Sequence, residues 1–280
     1  LSVLTYTTCA EAGGVGKTTL AANLADAHTQ QGRNVLVIDL DPQQASLTYL
    51  LDIPAPRDDA EADNIARHLI DRPKGDFSDL IYNTRSGFDV IPSHGMLETL
   101  PRLLTKAETM AGNLNEDFEP NLRLRYVLKE ADIAEQYDTL IIDSSPTAGP
   151  RLYNAVAATQ SLVVPIEATG KGMQAISGVE DMVGNLEDAL SLNINILAVV
   201  PNGVENITNQ KDYLNRICDL GYNVPVVLRD RSSLFGGCLD KQCTAFEYVA
   251  YHRDRQRDYE VETLDRLREL AASVEEVGTA

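Results

Sequence analysis

Apolar and polar positions alternate in blocks along this chain. Short apolar runs rich in β-branched residues lie at Ser2–Thr8, Asn34–Leu40, Phe88–Pro92, Thr139–Ile142, Ser161–Ile166, Ile194–Val200 and Val224–Leu228. Runs of this length and composition, bounded by turn residues, predict strands. Longer stretches with helical spacing lie near Thr18–Gln31, Met96–Ala111, Asn121–Glu135, Gln174–Leu190, Gln210–Leu220 and Tyr259–Val277. Gly32 follows the first of them, where a helix-ending glycine belongs. The run Val35-Leu36-Val37-Ile38 has no polar alternation and reads as a strand buried on both faces. Strands alternating with helices predict an α/β fold, a doubly wound and mostly parallel sheet flanked by helices. At 280 residues and 44% hydrophobic content the chain can bury one substantial core, so a single domain over 1–280 is expected. Pro54 to Asp63, rich in Pro, Asp and Ala, reads as a surface excursion within it.

Between the first strand and the first helix stands Gly13-Gly14-Val15-Gly16-Lys17-Thr18-Thr19. Strand, glycine loop and helix in that order suit phosphate binding. Glycines let backbone N–H groups turn toward oxygen, Lys17 adds a mobile cation, Thr18 offers a hydroxyl to Mg²⁺, and a helix N-terminus favours negative charge. The ordinary P-loop spelling fails, because Glu11 stands where it needs glycine. The second strand ends in Asp39-Leu40-Asp41-Pro42-Gln43. Ligands bind beyond the carboxyl ends of strands in such sheets, so these acids are placed to hold Mg²⁺ through water and to orient an attacking water. Asp143 ends another apolar strand and precedes Ser144-Ser145-Pro146.

The three segments resemble, in order and spacing, the motifs of the ParA/MinD superfamily of deviant Walker A ATPases. The loop is similar to K-G-G-x-G-K-T with Ala12 in place of the opening lysine; the second is the D-x-D-P-Q hallmark; the third is similar to D-x-x-P. The resemblance implies that Gly13, Gly14, Val15, Gly16, Lys17 and Thr19 hold the phosphates of ATP or ADP. It implies that Thr18 binds Mg²⁺, with Asp39 and Asp143 around the metal, and that Asp41 positions or activates water. It further implies an ATP-dependent homodimer, slow hydrolysis, non-specific DNA binding and a small ParB-like or adaptor activator. In the family the opening lysine reaches the partner's phosphates, and Ala12 cannot. Lys171, in Thr169-Gly170-Lys171-Gly172 just past the strand Ser161–Ile166, is the substitute to expect, unless it is a solvated loop lysine. Asn202, after Val199-Val200-Pro201, is either an adenine contact or a plain Asn-Gly turn.

Charge narrows the partners. The chain carries 24 Lys plus Arg against 42 Asp plus Glu, net −18, and its lysines number seven. So acidic and lysine-poor a surface suits high salt or plain solubility. A DNA contact would therefore be local. Arg229 and Arg231, with Arg253, Arg255 and Arg257 in His252–Arg257, are the candidates, unless they pair internally with Asp230, Asp254 and Asp258.

Other classes find less support. A MinD-like membrane switch carries a basic amphipathic C-terminal helix, whereas the polar face opposite Val261, Leu264, Leu267, Leu270, Val274 and Val277 is acidic. No apolar run reaches the roughly 18 residues of a membrane helix, and the start lacks the basic region of a signal peptide. Four scattered cysteines suit a reduced, cytoplasmic setting. Cys238 and Cys243 keep open an iron–sulfur carrier of the same superfamily, and Ala12 keeps open a scaffold that does not hydrolyse ATP.

Overall fold

The structure, a computed structural model, describes all residues except 1–2, 11–12, 45, 146, 168–171, 206–214, 216 and 220, together with the side chains at 172–177. Its strands are β1 (Leu4–Thr8), β2 (Val35–Asp39), β3 (Tyr82–Asn83), β4 (Asp89–Ile91), β5 (Thr139–Asp143), β6 (Ser161–Glu167) and β7 (Asn195–Asn202). They form one sheet in the order β3-β4-β2-β5-β1-β6-β7, parallel throughout except for β3 against β4. The helices are α1 (Lys17–Gln30), α2 (Leu47–Leu50), α3 (Ile65–Leu69), α4 (Leu100–Leu114), α5 (Arg123–Glu130), α6 (Ile133–Gln136), α7 (Pro150–Thr159), α8 (Gly172–Leu190), α9 (Ser232–Lys241), α10 (Ala245–Tyr251) and α11 (Asp258–Thr279).

Side chains alternate across each strand, so each central strand feeds two cores. Val35, Val37 and Ile141 join the core under α1, α10 and α11. Leu36, Ile38, Leu140 and Ile142 face the opposite core, with α3, α4 and α5. A third cluster packs Leu162, Val164 and Val199 of β6 and β7 against α7 and α8. Both faces of the sheet are covered, which is why its strands read as unbroken apolar runs.

The pattern misses or misjudges several elements. Val224–Leu228 is not a strand. It runs beside β7 through Leu228 N–H to the Pro201 carbonyl at 2.9 Å and one isolated bridge between Val204 and Arg229. Pro225 within it has no N–H for a ladder. The helix expected at Met96 opens as a 3-10 turn, Gly95–Thr99, before α4. The one expected over Asn121–Glu135 is two helices, broken at Asp132 with φ 49°. α7, buried through Leu152, Ala155, Val156 and Ala157, also goes unread. β3, α9 and α10 are also absent from the reading. Most of Gln210–Leu220 lies outside the described residues.

Candidate functional site

β1 ends at Thr8 and α1 begins at Lys17, so the glycine loop lies at the carboxyl edge of the sheet's centre. Gly14 and Gly16 have φ of 79° and 92°, and Gly16 stands at the helix N-cap, its carbonyl accepting from Leu20 N–H at 2.9 Å. Gly13 and Gly14 are exposed, Val15, Gly16, Thr18 and Thr19 half-buried, and Lys17 buried. Asn202, at the end of β7, donates its amide to the Val15 carbonyl at 2.9 Å. A Cβ on Gly16 would collide with that same Asn202 nitrogen. Asn202 therefore braces the loop, with a cavity of about 80 Å³ beside it lined by Thr19, Leu20, Asn23, Leu228, Phe235 and Leu267.

Strand register supplies the acids. Thr8 pairs with Asp143 across β1 and β5, and Asp39 pairs with Asp143 across β2 and β5. Thr8, Asp143 and Asp39 thus form one row at the tips of adjacent strands. Thr18 Oγ1 donates to Asp143 Oδ2 at 2.7 Å, and Thr8 Oγ1 to Asp143 Oδ1 at 3.2 Å. Burial, then the neighbouring Asp39 charge, pushes the Asp143 carboxyl up to about 7, against the donated hydroxyls. Burial also raises Asp39. Asp41, buried on the following turn, accepts Gln43 N–H on Oδ1 at 3.0 Å.

Two further residues enter this site that no sequence pattern marks. Thr48 donates both its backbone N–H, at 2.8 Å, and its hydroxyl, at 2.6 Å, to Asp39 Oδ2. Ser93, just past β4, donates its N–H to Thr48 Oγ1 at 2.7 Å and its hydroxyl to the Asp41 carbonyl at 2.6 Å.

The donor set fits magnesium. It is made of hard oxygens, a hydroxyl beside two buried carboxylates, and a divalent cation would offset the burial and the Asp39 repulsion that raise Asp143. The cysteine alternative has no such set. Cys238 and Cys243 are buried, and burial lifts their thiols to about 12 and about 11. Among the described residues no three His, Cys, Asp or Glu side chains group to hold a metal.

The arginines divide. Arg231 pairs with Glu262 at 3.2 Å and lies over the Tyr259 ring. Arg253 pairs at 2.8 Å with Glu260, which is fully buried, and lies over Tyr248. Both are committed to internal packing, so the patch read from sequence is smaller than expected. Arg229, Arg255 and Arg257 are exposed. Most of the apolar stripe of α11 is spent inside: Leu264, Leu267, Leu270 and Val274 are buried in the core with α1, while Val261 and Val277 at its ends are exposed. Among the described residues no helix is long and apolar enough to cross a membrane. Lys171 lies outside the described residues.

A glycine loop capping α1, with a strand-tip aspartate bonded to its threonine in a parallel sheet, defines a P-loop nucleotide-binding fold. The family described as an AAA domain matches residues 6–196. The chromosome-partitioning ATPase Soj of Thermus thermophilus is 29% identical over 67% of this chain and 64% of its own length. The maintenance of carboxysome distribution protein A of Synechococcus elongatus is 26% identical over 71% of this chain and 72% of its own. A Cyanothece McdA in complex with ATP superposes with a TM-score of 0.74 at 20% identity, covering 99% of this chain and 96% of that one. The chain belongs to this AAA domain family and, within it, to the ParA/MinD superfamily of P-loop ATPases.

Proposed function

We propose that this chain is a magnesium-dependent ATPase switch that dimerises around ATP and segregates or positions DNA or another large cargo. The observation that carries the reading is the Thr18 hydroxyl held on Asp143, with Asp39 in register beside it. Gly13, Gly14, Val15, Gly16 and Thr19 turn N–H groups and the α1 N-terminus toward the phosphates of ATP or ADP, and Lys17 adds charge. Thr18, with Asp39 and Asp143 beside it, would hold Mg²⁺. Bound Mg²⁺ supplies neutralisation of phosphate charge. Asp41, its carboxylate fixed by Gln43 N–H, orients the attacking water. Phosphoryl transfer asks a protein for positioning and electrostatics above all, and these groups supply both. Asn202 braces the loop on the side where the base would lie. Lys171 supplies the charge that Ala12 lacks.

The names of the Thermus and Synechococcus relatives support a role in partition or positioning, and the ATP of the Cyanothece complex supports the nucleotide. DNA contact falls to Arg229, Arg255 and Arg257, and rising salt weakens phosphate contacts of this kind through counterion release. A small ParB-like or adaptor protein is the proposed activator. The setting is cytoplasmic, on the nucleoid when ATP is bound, and the inward stripe of α11 argues against a membrane role. The test is ATP turnover with Mg²⁺ at several KCl concentrations, with and without DNA, alongside mass by light scattering. Slow turnover with an ATP-dependent dimer supports the reading; binding without either sinks the switch.

A further inference from the structure

Among the described residues, three hydrogen bonds tie Asp39 to the segment that follows it. Asp41 N–H donates to Oδ1 at 3.0 Å, while Thr48 N–H and Oγ1–H both donate to Oδ2. The turn is in turn tied to the segment after β4 by Ser93. An amide N–H can only donate, so the Ser93 bond occupies an acceptor site on Thr48 Oγ1. The Thr48 proton is then directed at Asp39 and nowhere else. Ser93 Oγ adds a bond to the carbonyl of Asp41, fixing the backbone that carries the second acid. Thr48 and Ser93 are both buried, 6% and 1% exposed, so water does not compete for these bonds.

We infer that Thr48 and Ser93 are a positioning pair for Asp39 and Asp41, governing turnover and magnesium dependence rather than nucleotide affinity. The inference rests on the ATPase reading above. Neither residue belongs to the motifs that mark the loop and the strand tips. Both act through the acids they hold, as groups behind metal-bound carboxylates do. Sequence separation explains why the pair is not legible: Ser93 lies 45 positions from Thr48 and meets it only because β4 pairs with β2.

The test uses the whole chain. Thr48→Val keeps the side-chain shape and the backbone bond but deletes the hydroxyl, and Thr48→Ser restores it. Thr48→Val is expected to lower kcat about 10- to 100-fold and to raise the Mg²⁺ concentration for half-maximal turnover, with KM for ATP little changed. Thr48→Ser should recover most of the loss. Ser93→Ala, which keeps the Ser93 N–H bond, should give a smaller loss of the same kind. Wild-type kcat and Mg²⁺ dependence in Thr48→Val overturn the inference. So does a lowered Tm with unchanged kcat and Mg²⁺ dependence per folded molecule, which is the mark of a purely structural role. A wild-type chain without ATP turnover overturns the ATPase reading itself, and this inference with it.

Discussion

Thr18 and Asp143 are 125 positions apart, yet the threonine hydroxyl sits 2.7 Å from the carboxylate. The bond joins the first turn of α1 to the tip of β5 and closes the site around a buried acid.

That acid makes stability depend on pH. The Asp143 carboxyl has an ordinary value of 3.8 and stands at about 7 in the fold. Between those values the folded chain keeps a proton that the unfolded chain has released. Rising pH through this window therefore costs stability, and the loss is complete above about pH 7. The ligand-free chain is expected to melt lower at about pH 8 than at about pH 5.5 on this account, and Mg²⁺ with ADP to raise Tm more at the higher pH. Asp143→Asn should flatten both differences. Thermal melts of the two proteins decide it: equal Mg²⁺–ADP shifts at both pH values refute the argument.

Gly16 has φ 92° and no room for a Cβ beside Asn202. Gly16→Ala is expected to cost about 1–3 kcal/mol of stability through backbone strain and the displaced brace. ATP affinity should fall with it. In an Asn202→Ala background the same change should cost less, because the clash is gone and the strain remains. Equal costs in both backgrounds, read from denaturant titrations, would show that the contact has no weight.

The arginines should separate into two groups. Removing Arg253 leaves the buried Glu260 without its ion-pair partner. Arg253→Ala is expected to lose about 3 kcal/mol, the cost of an uncompensated buried charge. Replacing Arg229, Arg255 and Arg257 together by Ala should change stability by about 0.5 kcal/mol or less, while DNA retention in the ATP state is lost. Retention that survives the triple change removes these residues as the DNA contact.

Lys171→Ala tests the replacement of the missing loop lysine. ATP turnover or ATP-dependent dimerisation is expected to fall about tenfold or more, the scale of one lost charge contact in phosphoryl transfer. Turnover and light scattering at wild-type levels would retire Lys171.

The loop residues, Asp39 at the end of β2 with Asp41 just past it, and the acid ending β5 were legible in the sequence. Each is a contiguous pattern, and a contiguous pattern sets local backbone conformation and the place where a strand ends. The alternation of apolar runs with helices fixed the sheet class for the same reason. Local pattern failed where proline broke a ladder, as at Pro225. The tertiary structure alone decided which strand tips are neighbours. It placed Asp143 between Thr8 and Asp39, set Ser93 on Thr48, and brought Asn202 to Val15 across 187 positions. It also turned Arg253 and Arg231 inward, onto Glu260 and Glu262. The strand-tip contacts depend on strand order and on how helices pack over the sheet, and no short window of sequence contains both partners; Arg253 and Glu260 are near in sequence, but the burial of Glu260 is decided by the fold.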